Sequence, residues 1–436
     1  MPPATRSLLL ITAASPEIRR VRRARVLDFQ QVTMPYLASF VPPHWTVRHV
    51  DEAVAAAEPT MPADLVAITF HTPGAAHVYR LADGFRRRGV PVALGGPHVT
   101  LLPDEAQPHA DAIFVGEAER TWPRFLAEFE RGAHRARYES GPVPLDDAPP
   151  ARRELFTRRD HTAGVLFATR GCVHRCDFCT LAVVYGSRVR RRPVAAVAAE
   201  VAAFRGRVVI LWDEDIAGDL EYGKALFRAL APHRKWWSSQ AGLCAAEDPE
   251  FLELAARSGC KQLFIGFESV SQASLDGVAK SFHRVDEYAR AIARIHAHGI
   301  AVQAGIVFGF DHDTPATFDE TLDFLEATGV QNATFNILTP FPGTPLHRRL
   351  EAEGRILTRD WARYNGREDV VFRPLHMTPE ALLAGYRHAN RRFYSLRSVW
   401  RRTWRSPVQL PWALPLNLAY VAALRRARSP RGGARP

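Results

Sequence analysis

The sequence predicts an α/β protein in two successive parallel-sheet units: a doubly wound N-terminal sheet, then a partial (β/α)6 barrel, with a small mixed and helical C-terminal region behind them. Three observations predict this. Apolar, β-branched runs of strand length alternate with amphipathic stretches in two separate series. A polar segment holding Pro142, Pro144, Pro149 and Pro150 divides the two. Six strand–helix repeats then fall within about 180 residues, a rhythm that suits a barrel with its chemistry at the strand C-termini.

In the first series, Leu8–Thr12, Thr46–Val50, Leu65–Phe70, Val90–Leu94 and Ala112–Val115 read as strands. Gly74–Arg88 reads as an amphipathic helix stopped by Gly89, with further helices over Asp104–His109 and Ala118–Arg131. Sheets of this kind bind ligands beyond their carboxyl edge. That edge is formed here by Thr69–Thr72, Gly95–Thr100 and Gly116-Glu117. The second series gives strands at Gly164–Thr169, Val208–Trp212, Trp236–Gln240, Gln262–Gly266, Gln303–Phe308 and Thr334–Leu338. Helices between them fall at Val194–Phe204, Tyr222–Ala231, Phe251–Ser258, Val285–His298 and Ala316–Thr328. The expected limits are a first domain over 1–132, a linker over 133–160, the barrel over 161–346 and a C-terminal region over 347–436.

Hydrophobic residues at 47% and charged residues at 24% are the balance of a globular protein, which excludes a disordered chain, a fibre or a disulfide scaffold. No run of about 20 apolar residues is present, which excludes a transmembrane helix. Ser7–Ala14 is apolar enough to be mistaken for a signal-peptide core, but Arg19, Arg20, Arg22, Arg23 and Arg25 follow it closely. It reads as a first buried strand, and the protein as cytoplasmic. The net charge of +11 comes from the C-terminus: Arg391–Pro436 holds 11 arginines and no acid, and setting them aside leaves 46 basic against 46 acidic residues. Two readings of that tail stand. It is a solvated end, or a peripheral membrane contact, since Gln409–Leu424 is apolar, carries Trp412 and Tyr420 and is flanked by Arg405, Arg425 and Arg426; within the tail, Arg397–Trp404 reads equally as a packed helix. No nucleic-acid-binding motif is found.

Three of the five cysteines crowd into Cys172-Val173-His174-Arg175-Cys176-Asp177-Phe178-Cys179, directly after the first strand of the second series. An odd, crowded set is a metal or redox site rather than a disulfide framework. Three thiolates on one loop suit a 4Fe–4S cluster with its fourth iron left open. Structural zinc, with His174, Cys244 or Cys260 as fourth ligand, and three buried structural cysteines are the alternatives.

The loop and the strands after it, over roughly His161–Leu346, resemble the radical S-adenosylmethionine (SAM) superfamily, in which a partial TIM-type barrel carries this cysteine triplet. The resemblance implies that Cys172, Cys176 and Cys179 hold the cluster and that the open iron binds SAM. It implies SAM contacts at Phe178, at Asp213 in Leu211–Asp215, at Gln240, at Glu268 and Ser269 in Phe264–Ser269, and at Lys280. Residues 5–130 resemble the Rossmann-like cobalamin-binding domain found ahead of many radical SAM enzymes, on Leu94–Thr100, Leu102-Pro103 and Val115–Glu119. That implies cobalamin contacts at Thr69, Thr72, Gly95, Gly96, His98, Gly116 and Glu117. The D-x-H-x-x-G motif of many cobalamin proteins is absent; Asp160-His161-Thr162-Ala163-Gly164 is a residue short and lies outside the domain.

The function implied is a cobalamin-dependent radical SAM methyltransferase acting on an unactivated carbon. The rivals are radical chemistry without methyl transfer, as in a cyclase, and a non-catalytic iron–sulfur or cobalamin-binding protein. A small-molecule substrate, with a lipid or isoprenoid such as a hopanoid favoured by the apolar tail and a secondary metabolite as the rival, is expected. So is an external flavodoxin- or ferredoxin-type electron donor.

Overall fold

The structure, a computed structural model, describes residues 6–15, 31–156, 163–405 and 408–428. The Arg19–Arg25 run and Asp160-His161-Thr162 lie outside the described residues. The first sheet is all parallel, in the order β2-β1-β3-β4-β5-β6: β1 Arg6–Thr12, β2 Trp45–Asp51, β3 Leu65–Thr69, β4 Val92–Gly95, β5 Ala112–Gly116 and β6 Arg137–Ser140. Successive side chains take opposite faces, and here each face has its own core. Leu9, Ile11, Val66, Ile68 and Leu94 pack with Val78, Leu81 and Phe85 of helix α1 (Ala75–Arg86). Leu8, Leu10, Ala67, Ala93 and Phe114 pack with Trp122, Phe125 and Phe129 of helix α2 (Thr121–Glu130). Apolar residues are therefore needed at every position, which explains the continuous runs in the sequence.

β6 lies inside the segment expected as a linker. Tyr138 is its single buried residue and stacks on Phe114, so the strand has no apolar alternation to announce it. Past it, Val143 and Leu145 are also buried. The segment is packed against the first domain over much of its length.

The second sheet runs in sequence order, β7 (Ala163–Leu166), β10 (Val208–Leu211), β11 (Trp236–Ala241), β12 (Cys260–Glu268), β13 (Ala301–Phe308) and β14 (Asn332–Ile337), again all parallel. β8 (Thr169–Arg170) and β9 (Arg190–Arg191) form a separate antiparallel hairpin around the cysteine loop. Helices α3 (Val194–Ala203), α4 (Leu220–Leu230), α5 (Pro249–Arg257), α6 (Tyr288–Ala297) and α7 (Thr317–Ala327) cover the outside. On β11, Trp237 packs outward on Phe227 and Phe251, so Trp236, Ser238 and Gln240 face the barrel interior.

The C-terminal helices α8 (Pro379–Phe393), α9 (Leu396–Arg405) and α10 (Leu410–Arg428) correct the expectation of a solvated tail. α10 packs on the N-terminal end of the barrel strands. Trp412 Nε1 donates to Gln262 Oε1 at 2.5 Å, Gln303 Nε2 donates to the Tyr420 hydroxyl at 3.3 Å, and Asn417 is fully buried with its amide on the Gln331 carbonyl. Among the described residues no helix is long and apolar enough to cross a membrane.

Candidate active site

The cysteine loop leaves the carboxyl end of the first barrel strand through the β8–β9 hairpin. Gly171 opens it at φ +95°, and a Cβ there would meet the Arg188 carbonyl oxygen at 2.3 Å, so only glycine fits. Its N–H donates to the Glu214 carboxylate at 3.1 Å. Farther along, Asp177 N–H donates to the Val278 carbonyl at 3.1 Å and Leu346 N–H donates to the Asp177 carbonyl at 3.0 Å. The loop is thus pinned from three sides.

Cys172, Cys176 and Cys179 are free thiols, Cys176 buried and the others half-buried. Burial pushes the Cys176 thiol up to about 12, the Cys179 thiol up to about 11, and Cys172 upward as well. The Lys280 ammonium acts on all three in the opposite sense. Iron must therefore displace protons from these sulfurs, with a cation already beside them to balance thiolate charge. Among the described residues no three or more His, Cys, Asp or Glu side chains are gathered to hold a metal ion. A four-iron cluster asks for a different arrangement, with one thiolate at each of three irons.

The fourth ligands of the zinc alternative are engaged elsewhere. His174 stacks on Phe282 at 3.7 Å between ring centroids, the Cys244 thiol donates to the Ala217 carbonyl at 3.8 Å, and Cys260 is buried under the barrel helices. The donor set fits an iron–sulfur cluster.

Glu268 and Lys280 form a charged pair whose field reaches the thiols. A register shift in β12 between Gly266 and Glu268, with Glu268 at φ +65°, re-aims this carboxylate at the strand end. Its Oε1 lies 3.2 Å from Lys280 Nζ, and a Cβ at Gly266 would meet that same oxygen at 2.6 Å. Burial alone would lower the Lys280 pKa, but Glu268 together with the Cys176 and Cys179 sulfurs outweighs it and holds the ammonium above its ordinary value.

The acidic run after β10 divides its work. Asp213 has no exposed surface; its Oδ1 accepts from Ala168 N–H at 2.9 Å, from Thr169 Oγ1 at 2.8 Å and from Thr169 N–H, while Oδ2 is buried without a partner. Burial pushes its carboxyl up to about 7. Asp213 holds the turn into the cysteine loop instead of facing the mouth. Asp215 stands closer to the open side: its Oδ1 accepts from Gly242 N–H at 2.6 Å and Ala217 N–H at 3.0 Å, and its charge is felt at Cys172, His174 and Cys244. The sequence marks the whole run Leu211–Asp215 but names Asp213 alone within it, because nothing local separates three adjacent acids.

Of the remaining SAM-side candidates, Gln240 faces the barrel interior beside Phe264 on β12. Phe178 is packed edge-on to Phe310 at 5.9 Å. Ser269 is buried, and its Oγ accepts from Ser271 N–H at 3.1 Å.

On the first sheet, Thr69, Gly95 and Gly96 end β3 and β4 side by side. Gly96 sits at φ +101°, where a Cβ would meet Thr69 Oγ1 at 2.5 Å. The turn Pro97–Leu101 then packs against Leu181–Val184, the helix that follows Cys179. The edge therefore adjoins the cluster loop, and the glycine at 96 is required by the close approach of Thr69 and the Phe70 backbone.

Thr72 and His98 are buried: His98 Nδ1 meets Thr72 Oγ1 at 3.2 Å, and its Nε2 meets the Tyr79 hydroxyl at 3.1 Å and Glu105 at 3.3 Å. They brace the edge from beneath. Gly116, at φ +83°, makes room for the Ser140 carbonyl of β6, 1.9 Å from where its Cβ would be.

Glu117 ties the two units together. Its carboxylate is bidentate on Arg190 at 2.5 and 2.6 Å, lies 3.3 Å from Arg170 and accepts from Val143 N–H at 2.9 Å. Arg170 also pairs with Glu119 at 2.5 Å. Arg170 and Arg190 are partners across the β8–β9 hairpin, so the clamp grips the base of the cysteine loop. Neither arginine is marked by any local motif, and only the tertiary pairing reveals them; Glu119 lies in the Val115–Glu119 motif but was not singled out within it.

The model of the radical SAM superfamily matches residues 166–325, that of a B12 binding domain matches 24–126, and a domain of unknown function matches 344–413. The bacteriochlorophyllide d C-12(1)-methyltransferase of Chlorobaculum tepidum is 29% identical over 89% of this chain and 88% of its own length. The hopanoid C-2 methylase of Rhodopseudomonas palustris is 28% identical over 74% of this chain and 64% of its own. In fold, the chain is similar to the cobalamin-dependent SAM radical enzyme OxsB, solved with aqua-cobalamin and SAM, at a TM-score of 0.67 and 13% identity over 94% of this chain and 72% of that one.

Proposed function

The chain belongs to the radical SAM superfamily and carries a B12-binding domain ahead of its barrel, and from that premise we propose that it is a cobalamin-dependent C-methyltransferase. The observation that supports the reading is the packing of Pro97–Leu101, which follows the Gly95-Gly96 edge, on the helix that follows Cys179, so that cobalamin at that edge and SAM at the cysteine loop would share one mouth. The bound groups supply a 5′-deoxyadenosyl radical from SAM at a 4Fe–4S cluster and a methyl group from cobalamin.

The chain's own residues supply position. Cys172, Cys176 and Cys179 anchor the cluster. Glu268, paired to Lys280 and aimed by the β12 bulge, accepts hydrogen bonds from the SAM ribose, with Gln240 and Asp215 on the neighbouring strand ends. Thr69, Gly95 and Gly96 line the cobalamin side, braced by Thr72 and His98. The clamp of Glu117 and Glu119 on Arg170 and Arg190 keeps the two sides at a fixed spacing, which a reaction joining both requires.

A small-molecule substrate of the lipid or isoprenoid class is favoured by the similarity to the hopanoid methylase. An external flavodoxin- or ferredoxin-type protein in the cytoplasm would supply the electron.

The test is anaerobic. Protein reconstituted with iron and sulfide is given hydroxocobalamin, SAM and dithionite, and nucleoside products are followed by chromatography. 5′-Deoxyadenosine together with retained cobalamin is expected, and both should vanish separately in Cys176→Ala and Gly96→Trp. 5′-Deoxyadenosine without retained cobalamin would replace methyl transfer by other radical chemistry; no SAM cleavage with an intact cluster would reject the enzyme reading.

A further inference from the structure

The C-terminal helix pair carries apolar surface that the described residues leave open to solvent. On α9, Leu396, Trp400 and Trp404 recur every turn and are 61%, 61% and 74% exposed, and the two indoles stack with centroids 5.9 Å apart. On α10, Leu410, Leu414 and Leu418 make a second row at the same spacing, 40%, 38% and 48% exposed. These rows are not the slack of a loose tail. Other faces of both helices are packed, through Val399, Arg402 and Thr403 on one and Ala413, Asn417 and Val421 on the other. The buried Arg402 guanidinium donates to the Phe393 carbonyl at 2.8 Å, to Asn417 Oδ1 at 3.2 Å and to the Gln331 carbonyl. Helix orientation is thereby fixed, and the tryptophans are held outward.

Charge says what covers them. The segment from Arg391 to Pro436 holds no acid; Arg402 is buried and Arg392 and Arg401 pair with Asp319, Asp323 and Glu326, which leaves Arg391 exposed on α8 and Arg397 exposed on α9, the helix that carries the tryptophans. Exposed indoles prefer the depth of lipid headgroups. Arginines beside them are drawn to an anionic leaflet, at about 1 kcal/mol per residue near the surface. α10 holds Pro415 within the helix, and neither helix is apolar enough to cross a bilayer. A membrane would therefore hold them flat at its surface.

We propose that α9 and α10 dock this protein peripherally on an anionic phospholipid bilayer, with Trp400 and Trp404 at headgroup level. The surface lies on helices at the end of the barrel remote from the cysteine loop, so the proposal is independent of the radical chemistry.

Full-length protein is sedimented with vesicles of phosphatidylcholine alone or with 30% (about one third) phosphatidylglycerol, and tryptophan emission is followed with brominated lipid as quencher. Binding is expected only to the anionic vesicles, weakened in about 0.5 M salt, where the Debye length is about half its physiological value. Trp400→Ala/Trp404→Ala should lower the bound fraction at least about fivefold and remove most of the quenching, with an unchanged thermal midpoint. Arg397→Glu, also exposed, should lower binding without touching any apolar contact. Wild-type protein that stays in the supernatant with both vesicles, or a tryptophan variant that binds as well as wild type, overturns the proposal. So does a wild-type dimer in light scattering that the tryptophan variant breaks, because the face would then belong to a second copy of the chain.

Discussion

Asp213 shows a single side chain doing structural work at a strand end where ligand contact was expected. One oxygen accepts three hydrogen bonds from the Ala168–Thr169 turn, and the other is buried without a partner. Burial raises its pKa to about 7, above an unfolded value of about 3.9. The folded protein then holds a proton that the unfolded chain releases across that interval, so this group's contribution to stability falls as pH rises from about 4 to about 7. Asp213→Asn keeps the accepting oxygen and removes the charge. Its unfolding free energy relative to wild type should grow by about 2 kcal/mol between pH 5 and pH 8, measured by urea unfolding at both pH values; a constant difference would mean that Asp213 stays ionised. Lys280 obeys a different logic, since its partner Glu268 sits with it beside the thiols. Lys280→Met leaves that carboxylate half-buried and unpaired, and should weaken SAM binding to the reconstituted protein at least tenfold, about 1.4 kcal/mol, by calorimetric titration. Unchanged affinity would remove the pair from the SAM site.

At the scale of elements, the β8–β9 hairpin is two residues on each side, yet it joins the domains. Its arginines Arg170 and Arg190 share Glu117 of the first domain in a nearly buried network. Breaking such a network leaves uncompensated charge and costs about 3 kcal/mol or more. Glu117→Ala should speed amide exchange across residues 168–192 and 112–120 while the β1–β4 and β11–β14 amides keep their protection; uniform loss of protection, or none, would mean that the clamp is not a separate unit. The hairpin was not legible in the sequence, where Gly164–Thr169 reads as one strand, because its pairing is set by the loop it encloses. β6 escaped for a related reason: Arg137-Tyr138-Glu139-Ser140 offers one apolar residue, and its place is fixed by Tyr138 stacking on Phe114. A strand that was legible, Leu65–Phe70, is buried on both faces over Leu65–Ile68 and announces itself by an unbroken apolar run there. The cysteine loop was legible because its ligands are close in the chain, whereas Glu117 reaches Arg190 across 73 positions.

Over the whole molecule, the chain's last described helix completes its fold. α10 and the residue before it meet the barrel through side chains whose partners lie 86 to 150 residues away: Gln409 on the Gly299 carbonyl, Trp412 on Gln262 and Tyr420 on Gln303 and Thr334. Composition alone made this stretch a solvated or interfacial end, since an arginine-rich flank hides a helix whose polar residues are spent inward. The consequence is that deleting it cannot isolate membrane contact from folding. Gln262 and Gln303 donate and accept within one buried chain, with Gln262 Nε2 on Gln303 Oε1 at 2.7 Å and the Gln262 carbonyl oxygen left to the Trp412 indole. Trp412→Phe keeps most of the apolar contact and removes that donor, stranding a buried carbonyl at a cost of about 1–3 kcal/mol. The thermal midpoint should fall by a few degrees, about 2–4 °C per kcal/mol for a unit of this size, while Trp404→Phe on the exposed row leaves it unchanged. Equal midpoints for the two variants would mean that α10 rides on the barrel without supporting it, and the C-terminus would again be a tail.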